Sequence, residues 1–371
     1  MSKYSLFLAL ILFLSTGIQG TAQQSFIEVK GNNFKDRFQA AITEARAGSK
    51  PTRFWIAYSF NPRAGYAYRA EGKNGGSFSG RVTADSAKET RETGNVAVFS
   101  LLEPNGTTVE VALRNLDRNN DQGKLPVYWL GHADNKDSLN YLQGLLEANP
   151  ANKASDSAVQ AVALHDGPLA AEVLMGLIRN SSAANVKLKA VQWLSMISEA
   201  RPFFLELVRN EHESVDLRRQ AVFALGVWGQ KTPALADLEV VYKVITNREV
   251  KERILLVAQM DQSENAERFL SEVATTDVNA LTRKRAILYL GQKPGSRSFN
   301  ALSEALNRAE GDFEVQRTVL MAISQRPRDE AIPFLIDVAE KHSNKQLRNQ
   351  AVFWLQRSDD ERAREFLKQS N

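Results

Sequence analysis

Positive charge recurs in this chain at a spacing that could hold anions. Lys187, Arg218, Lys251, Arg283 and Arg348, with Gln316 filling the remaining step, follow one another at intervals of 31 to 33 residues. Further cations stand close by at Lys189, Arg219, Arg253, Lys284, Arg285 and Arg317. The chemistry open to such a ladder is pairing with carboxylates, backbone carbonyls or a polyanion. One destination is a loop acceptor such as Asp277, Glu310 or Asp312, which would tie one segment of the chain to the next. The other is an acidic partner facing a basic stripe made of Arg218, Lys251, Arg283, Arg348 and their neighbours. A periodic structural need accounts for the regularity, so ties are expected for most of the ladder. Arg219, Arg253 and Arg285 are expected to face solvent and to be available to a partner. Trp193, Tyr289 and Trp354 also recur at one register and are candidate binding anchors, because Trp and Tyr dominate interface hot spots. Ala224, Val257 and Ala322 occupy the same register elsewhere, and such a mixture of small and very large residues argues instead for complementary packing.

Other chemistry-bearing patterns are poorer. The run 71–80, EGKNGGSFSG, is Gly-rich but lacks the order that cradles phosphates, and it reads as a hairpin loop. The run 117–123, DRNNDQG, begins like a calcium loop, yet its glycine comes one residue late and Tyr128 stands where a bidentate carboxylate belongs. His132, His165, His212 and His342 are scattered, and no nucleophile, base and orienter can be assembled around them. No catalytic residue, metal ligand or cofactor site is expected.

The elements that carry the ladder repeat. VKLKAVQWL (186–194), LRRQAVFAL (217–225), VKERILLVA (250–258), TRKRAILYL (282–290), VQRTVLMAI (315–323) and LRNQAVFWL (347–355) align on a small or aliphatic fifth residue. These anchors, Ala190, Ala221, Ile254, Ala286, Val319 and Ala351, lie 31, 33, 32, 33 and 32 residues apart. A period of that length means stacked units, none of which buries its apolar face alone. A second apolar run precedes each anchor segment from the second onward: 203–208, 235–244, 269–274, 299–306 and 332–338, with 366–367 closing the series. Leu238, Val241, Tyr242 and Ile245 recur three and four apart, which is helical spacing. Pro202, Pro233, Pro294 and Pro327 stand near first-helix starts, and Gly226, Gly229 and Gly291 close anchor helices. Ser214, Asp277 or Asn279, and Ser343 are the expected caps. The ladder cations then fall in first helical turns, where the macrodipole disfavours them by a few tenths of a kcal/mol.

A helix pair of about 32 residues with this anchor segment resembles the HEAT repeat, particularly the short bacterial variety also found in phycobilisome lyases. The resemblance covers residues 186–371, and a degenerate unit around Gln160, Ala161 and Val162 precedes it, with 169–178 as the next first helix. It implies an α-solenoid that holds another molecule. Some HEAT-repeat enzymes, the deoxyhypusine hydroxylases, build a di-iron site from several His–Glu pairs. His212–Glu213 is the only such dipeptide here, and one pair cannot form a two-metal cage.

At the amino terminus Lys3, the apolar run 6–14 and the small residues Gly20, Thr21 and Ala22 form a signal-peptide pattern with cleavage expected after Ala22. No cysteine is present, so neither a lipid-modified amino terminus nor a disulfide is possible. The expected organisation is a signal peptide (1–22), a β-containing α+β domain (23–135) and an α-solenoid with an amino-terminal cap (136–371). Within the second, a helix is expected at 34–47 and strands at 53–60, 65–70, 95–102, 107–113 and 127–130. Pro104, Asn105 and Gly106 should turn a hairpin. With 371 residues and 43% hydrophobic content the chain can bury two cores. Its 47 basic and 43 acidic residues are too nearly balanced to suggest nucleic acid.

These observations predict an exported, periplasmic or extracellular, non-enzymatic scaffold that binds a protein partner, with no transmembrane segment once the signal is removed. The alternatives are an envelope enzyme with its site in the amino-terminal domain, and a lyase-like HEAT protein.

Overall fold

The computed structural model describes residues 26–48, 52–63, 67–70, 76–79, 96–116, 125–148, 154–196, 200–226 and 235–369. The signal-peptide pattern, the run 117–123, Gly229 and Pro233 lie outside them. The chain divides into two compact units, residues 1–140 with 164–166, and residues 141–163 with 167–371. Among the described residues no helix is long and apolar enough to cross a membrane.

The first unit is built on a mixed five-stranded sheet. Strands β1 (Ile27–Glu28), β2 (Phe54–Ser59), β5 (Val96–Leu102), β6 (Thr108–Asn115) and β7 (Val127–His132) lie in the order β1-β7-β2-β5-β6. The β1–β7 and β7–β2 pairs are parallel, and β2–β5 and β5–β6 are antiparallel. The β5–β6 hairpin turns where expected, with Gly106 at φ 90°, a conformation open to glycine. Every residue of β5 and all but the last of β2 are buried. Near-continuous apolar runs are what strands covered on both faces require. On one face Tyr58 meets Phe34 of helix α1 (Phe34–Arg46) edge-on at 5.0 Å. On the other, Trp55, Ala57, Phe99, Leu101 and Val127 form a cluster. Two more strands, β3 (Ala67–Ala70) and β4 (Gly76–Ser79), pair antiparallel. Residues 76–79 therefore belong to a strand, and β1 and β4 were not foreseen.

Helices follow: α2 (Asn135–Ala148), α3 (Ala154–Leu164), then pairs α4 (Leu169–Asn180) with α5 (Ala184–Leu194) and α6 (Arg201–Arg209) with α7 (Val215–Gly226). The pairing continues as α8 (Leu235–Val244) with α9 (Arg248–Met260) and α10 (Glu264–Thr276) with α11 (Ala280–Gln292). It ends with α12 (Ser296–Arg308) and α13 (Phe313–Ser324), α14 (Arg328–Lys341) and α15 (Lys345–Gln356), and α16 (Glu361–Gln369). The six anchor residues sit in α5, α7, α9, α11, α13 and α15, and all are fully buried. Those six helices pack side by side in one row, each on the next. First helices form a second row, linked by ion pairs such as Arg201–Asp237 at 2.6 Å and Arg268–Glu239 at 2.8 Å.

Two glycines explain how closely the anchor helices approach. Both are helical, so they do more than terminate. A Cβ on Gly226 would collide with the side chain of Val257, and one on Gly291 would lie 2.9 Å from the Cβ of Ala322. Each lets the next anchor helix pack against bare backbone. Helix starts are capped by Ser214, Asn247, Asn279 and Asp312, whose side chains accept backbone N–H groups of the first turn. At α15 the cap is Asn344, not Ser343, with Oδ1 2.8 Å from the Gln346 N–H.

Candidate functional site

The six residues at the ladder position, three before each anchor, reach three kinds of acceptor: a carbonyl of the paired helix, carbonyls of the adjoining loop, and carboxylates of the following unit. Arg218 is 3% exposed, and its Nε donates to the Val208 carbonyl at 2.9 Å. Gln316 makes the equivalent bond to the Leu306 carbonyl at 3.1 Å. Arg283 donates to the Asp277 carbonyl at 2.9 Å and pairs with the Asp312 carboxylate at 2.9 Å. Arg348 donates to the carbonyls of His342 and Ser343 at 2.7 and 2.9 Å. Lys187 and Lys251 reach Glu213 and Asp277, each at 3.4 Å. Carbonyls at and just beyond helix ends have no intrahelical donor, and Arg218, Gln316, Arg283 and Arg348 supply one.

Asp277 collects further bonds. Tyr242 donates its hydroxyl to Oδ2 at 2.6 Å, and the Asn279 N–H donates to Oδ1 at 2.8 Å. The Lys251 ammonium lies 4.6 Å from the centre of the Tyr242 ring. Burial alone would raise the Asp277 carboxyl, but the hydrogen bonds from Tyr242 and Asn279 and the Lys251 charge prevail and hold it below its ordinary value. Burial, then the bond to Asp277, pushes the Tyr242 hydroxyl well above its ordinary value.

A different set meets on the row of anchor helices. Arg219 of α7, Arg253 of α9, and Arg285 and Tyr289 of α11 line a cleft of about 230 Å³. Glu249, Glu252 and Leu256 complete its wall. Four of the ten residues expected to touch a partner thus come together from three consecutive units. Arg219 pairs with Asp216 and Glu249 at 3.3 and 3.4 Å, and Arg285 pairs with Glu252 at 3.7 Å. Arg253 has no hydrogen bond or ion pair among the described residues. Its guanidinium lies 5.6 Å from the Phe223 ring centre. Burial, then repulsion from Arg219, lowers the Arg253 pKa.

The remaining candidates lie elsewhere. Arg283 lines a second, polar cleft of about 320 Å³ with Asp277, Arg308, Glu310 and Asp312. Trp193 and Trp354 belong to α5 and α15, outside the first cleft, and are half-buried. The Trp354 ring meets Phe353 edge-on at 5.2 Å.

The histidines divide. His212 and His132 are exposed, and His342 accepts the Asn344 N–H in the loop before α15. Glu213, beside His212, is bound to Lys187. Among the described residues no three His, Asp or Glu side chains converge as metal ligands would. In the first unit Ser59 and His132 Nδ1 are 3.2 Å apart at the carboxyl ends of parallel β2 and β7. Sequence reasoning missed this contact and a buried one: His165 Nε2 lies 2.7 Å from Ser138 Oγ, which is 3.1 Å from the Tyr58 hydroxyl. All three residues are fully buried, and His165 stacks on Phe60 at 4.0 Å. Complete burial of this Ser–His pair suits a tie within the fold.

No model of a protein family matches the chain, and no curated protein does. Solved structures are similar at the level of fold. Human deoxyhypusine hydroxylase, in complex with glycerol, is 17% identical over 63% of this chain and 94% of its own, with a TM-score of 0.29. The Escherichia coli protein YibA is 16% identical over 60% and 82%, with a TM-score of 0.33. A computationally designed self-assembling cyclic homo-oligomer is 14% identical over 63% and 88%, with a TM-score of 0.12. Likeness this distant carries nothing about activity.

Proposed function

We propose that the chain is an exported, non-enzymatic interaction protein in which a HEAT-like α-solenoid holds a partner protein on its row of anchor helices. The observation that carries this reading is the meeting of Arg219, Arg253, Arg285 and Tyr289 in one cleft drawn from three consecutive units. Arginine and tyrosine are the residues that interface hot spots favour, and stacked repeats commonly present such surfaces to partners. The ladder proper is spent on loop carbonyls and carboxylates, so it supplies rigidity to the surface. Crosslinking with mass spectrometry in the native cell tests the reading. The expected result is a recurrent protein crosslinked through Lys284 or other lysines flanking α9 and α11. Crosslinks confined to the first unit would overturn it. Export is tested separately: protein from the envelope or medium should begin at Gln23, and a chain retaining Met1 in the cytoplasm would refute it.

A second reading rests on the Ser59–His132 contact at 3.2 Å, which would suit an envelope enzyme with its site in the first unit. The His132 ring makes no second hydrogen bond among the described residues, so no orienting group fixes its tautomer there. Labelling of Ser59 by a fluorophosphonate, abolished by His132→Ala, would favour the enzyme.

A further inference from the structure

The cleft between α7, α9 and α11 is incompletely neutralised, and the shortfall is one charge. Most neighbouring cations of the second set have a counter-ion: Lys189 has Asp156 at 2.5 Å, Arg219 has Asp216 and Glu249, Arg285 has Glu252, and Arg317 has Glu314 at 3.0 Å. Arg253 stands half-buried in the cleft with no carboxylate paired to it among the described residues, its guanidinium over the Phe223 ring. A partly desolvated guanidinium facing another cation is costly, and among the described residues only the Phe223 ring and the Tyr289 hydroxyl offset that cost. An incoming anion would remove that cost, so the site is poised to bind one.

The surroundings also limit which anion fits. Glu249 and Glu252 share the cleft wall, Glu249 paired with Arg219 and Glu252 with Arg285 and Arg248, and they oppose any single group that would bring more than one negative charge to Arg253. A phosphate dianion would face both glutamates. A carboxylate matches the single uncompensated charge, and its two oxygens fit the guanidinium fork. Tyr289 adds a phenolic donor to the same wall, and Leu256 adds an apolar patch.

We infer that Arg253 receives one carboxylate of an acidic protein segment seated in the cleft between α7, α9 and α11. This assignment rests on the scaffold reading and names the chemistry that the scaffold recognises. Because Arg253 gives up no hydrogen bond or ion pair among the described residues and only a ring contact with Phe223, its replacement should spare the fold, which distinguishes it from Arg218 and Arg283.

The test uses the full mature chain and a fluorescein-labelled hexaglutamate peptide read by fluorescence anisotropy, with hexaglutamine and a phosphoserine-containing hexapeptide as comparisons. The expected result is saturable binding of hexaglutamate, weakened about tenfold or more by Arg253→Gln, which corresponds to about 1.4 kcal/mol. Arg253→Lys should fall between, and Arg317→Gln, outside the cleft, should bind as the wild type does. The melting temperature of Arg253→Gln should be unchanged or higher. No saturable binding, equal affinity for wild type and Arg253→Gln, or equal losses in Arg253→Gln and Arg317→Gln would each overturn the carboxylate assignment. So would a fall of several degrees in the melting temperature of Arg253→Gln, or tighter binding of the phosphoserine peptide. If crosslinking finds no partner on the helices while hexaglutamate binding still depends on Arg253, the scaffold reading fails and the carboxylate site stands. A cellular partner whose capture survives Arg253→Gln gives the reverse result.

Discussion

Arg218 and Gln316 make the same bond. Each sits three residues before an anchor, and each donates to a backbone carbonyl ten residues back, Val208 at 2.9 Å and Leu306 at 3.1 Å. Both are 3% exposed. The acceptors lie in the last turns of α6 and α12, where carbonyls lack an intrahelical donor. What this position requires is therefore a long donor that satisfies a buried carbonyl, and positive charge is one way to provide it.

The first prediction follows from that equivalence. Arg218→Gln should cost about 1 kcal/mol or less, since Gln316 shows that an amide spans the gap and Nη2 of Arg218 has no hydrogen-bond partner among the described residues. Arg218→Ala should cost about 1–3 kcal/mol, because the Val208 carbonyl is left unsatisfied. Equilibrium unfolding in urea separates the two, and equal losses would mean that charge matters at this position.

The second concerns pH. The Asp277 carboxyl is held below its ordinary value of 3.8, so its contribution is present above that value and is lost as pH falls through the lower folded pKa. The Tyr242 hydroxyl is raised above its ordinary 10.0, so its contribution is present below pH 10 and is lost as pH rises through the folded value. Asp277→Asn should flatten the acid limb of a stability profile below about pH 4, and Tyr242→Phe should flatten the alkaline limb above about pH 10. Melting temperatures across pH check both, and an unchanged acid limb in Asp277→Asn would refute the first.

The third addresses close packing. Gly226→Ala and Gly291→Ala are favourable by helix propensity, by about 1 kcal/mol each. Collision with Val257 and Ala322 should reverse that sign and destabilise by about 1–3 kcal/mol. A raised melting temperature in either variant would show that the anchor helices can move apart.

The repeat was legible in the sequence because packing imposes it. Ala190, Ala221, Ile254, Ala286, Val319 and Ala351 are all fully buried in the row of anchor helices, so a small or aliphatic residue returns every 31 to 33 residues. Burial within the ladder was also encoded, though less plainly. Arg218 lies three residues before Ala221, hence on the same helix face, whereas Arg219 is turned about 100° away and reaches the cleft. Other features had no local signature. Strand β1 has two residues, too few for alternation, and β4 reads as Gly-rich loop because its strand character comes from pairing with β3. Ser138 and His165 are 27 residues apart and meet only in the fold. Arg326 is another case. It lies in the loop after α13, off the ladder and 5% exposed, and donates to the Gly295 carbonyl at 2.7 Å and Glu330 at 2.6 Å.

The last prediction separates ties from surface. Arg283 and Arg285 are two residues apart on α11, yet their surroundings differ. Arg283 has a side chain 20% exposed and spans the Asp277 carbonyl and the Asp312 carboxylate. Arg285 is 47% exposed and lies 3.7 Å from Glu252. Arg283→Glu would set a carboxylate against Asp312 and leave the Asp277 carbonyl without its donor, at a cost of about 2 kcal/mol or more. Arg285→Glu should cost about 1 kcal/mol or less, because the pair is solvent-screened. Partner capture should then behave oppositely. Arg283→Glu should lose capture only as it unfolds, whereas Arg285→Glu should lose it while folded, since a new anion at the cleft wall repels an acidic ligand. Melting temperature and capture yield measured on the same two proteins decide the matter. If Arg285→Glu captures the partner as well as the wild type does, the anchor-helix cleft is not the binding surface.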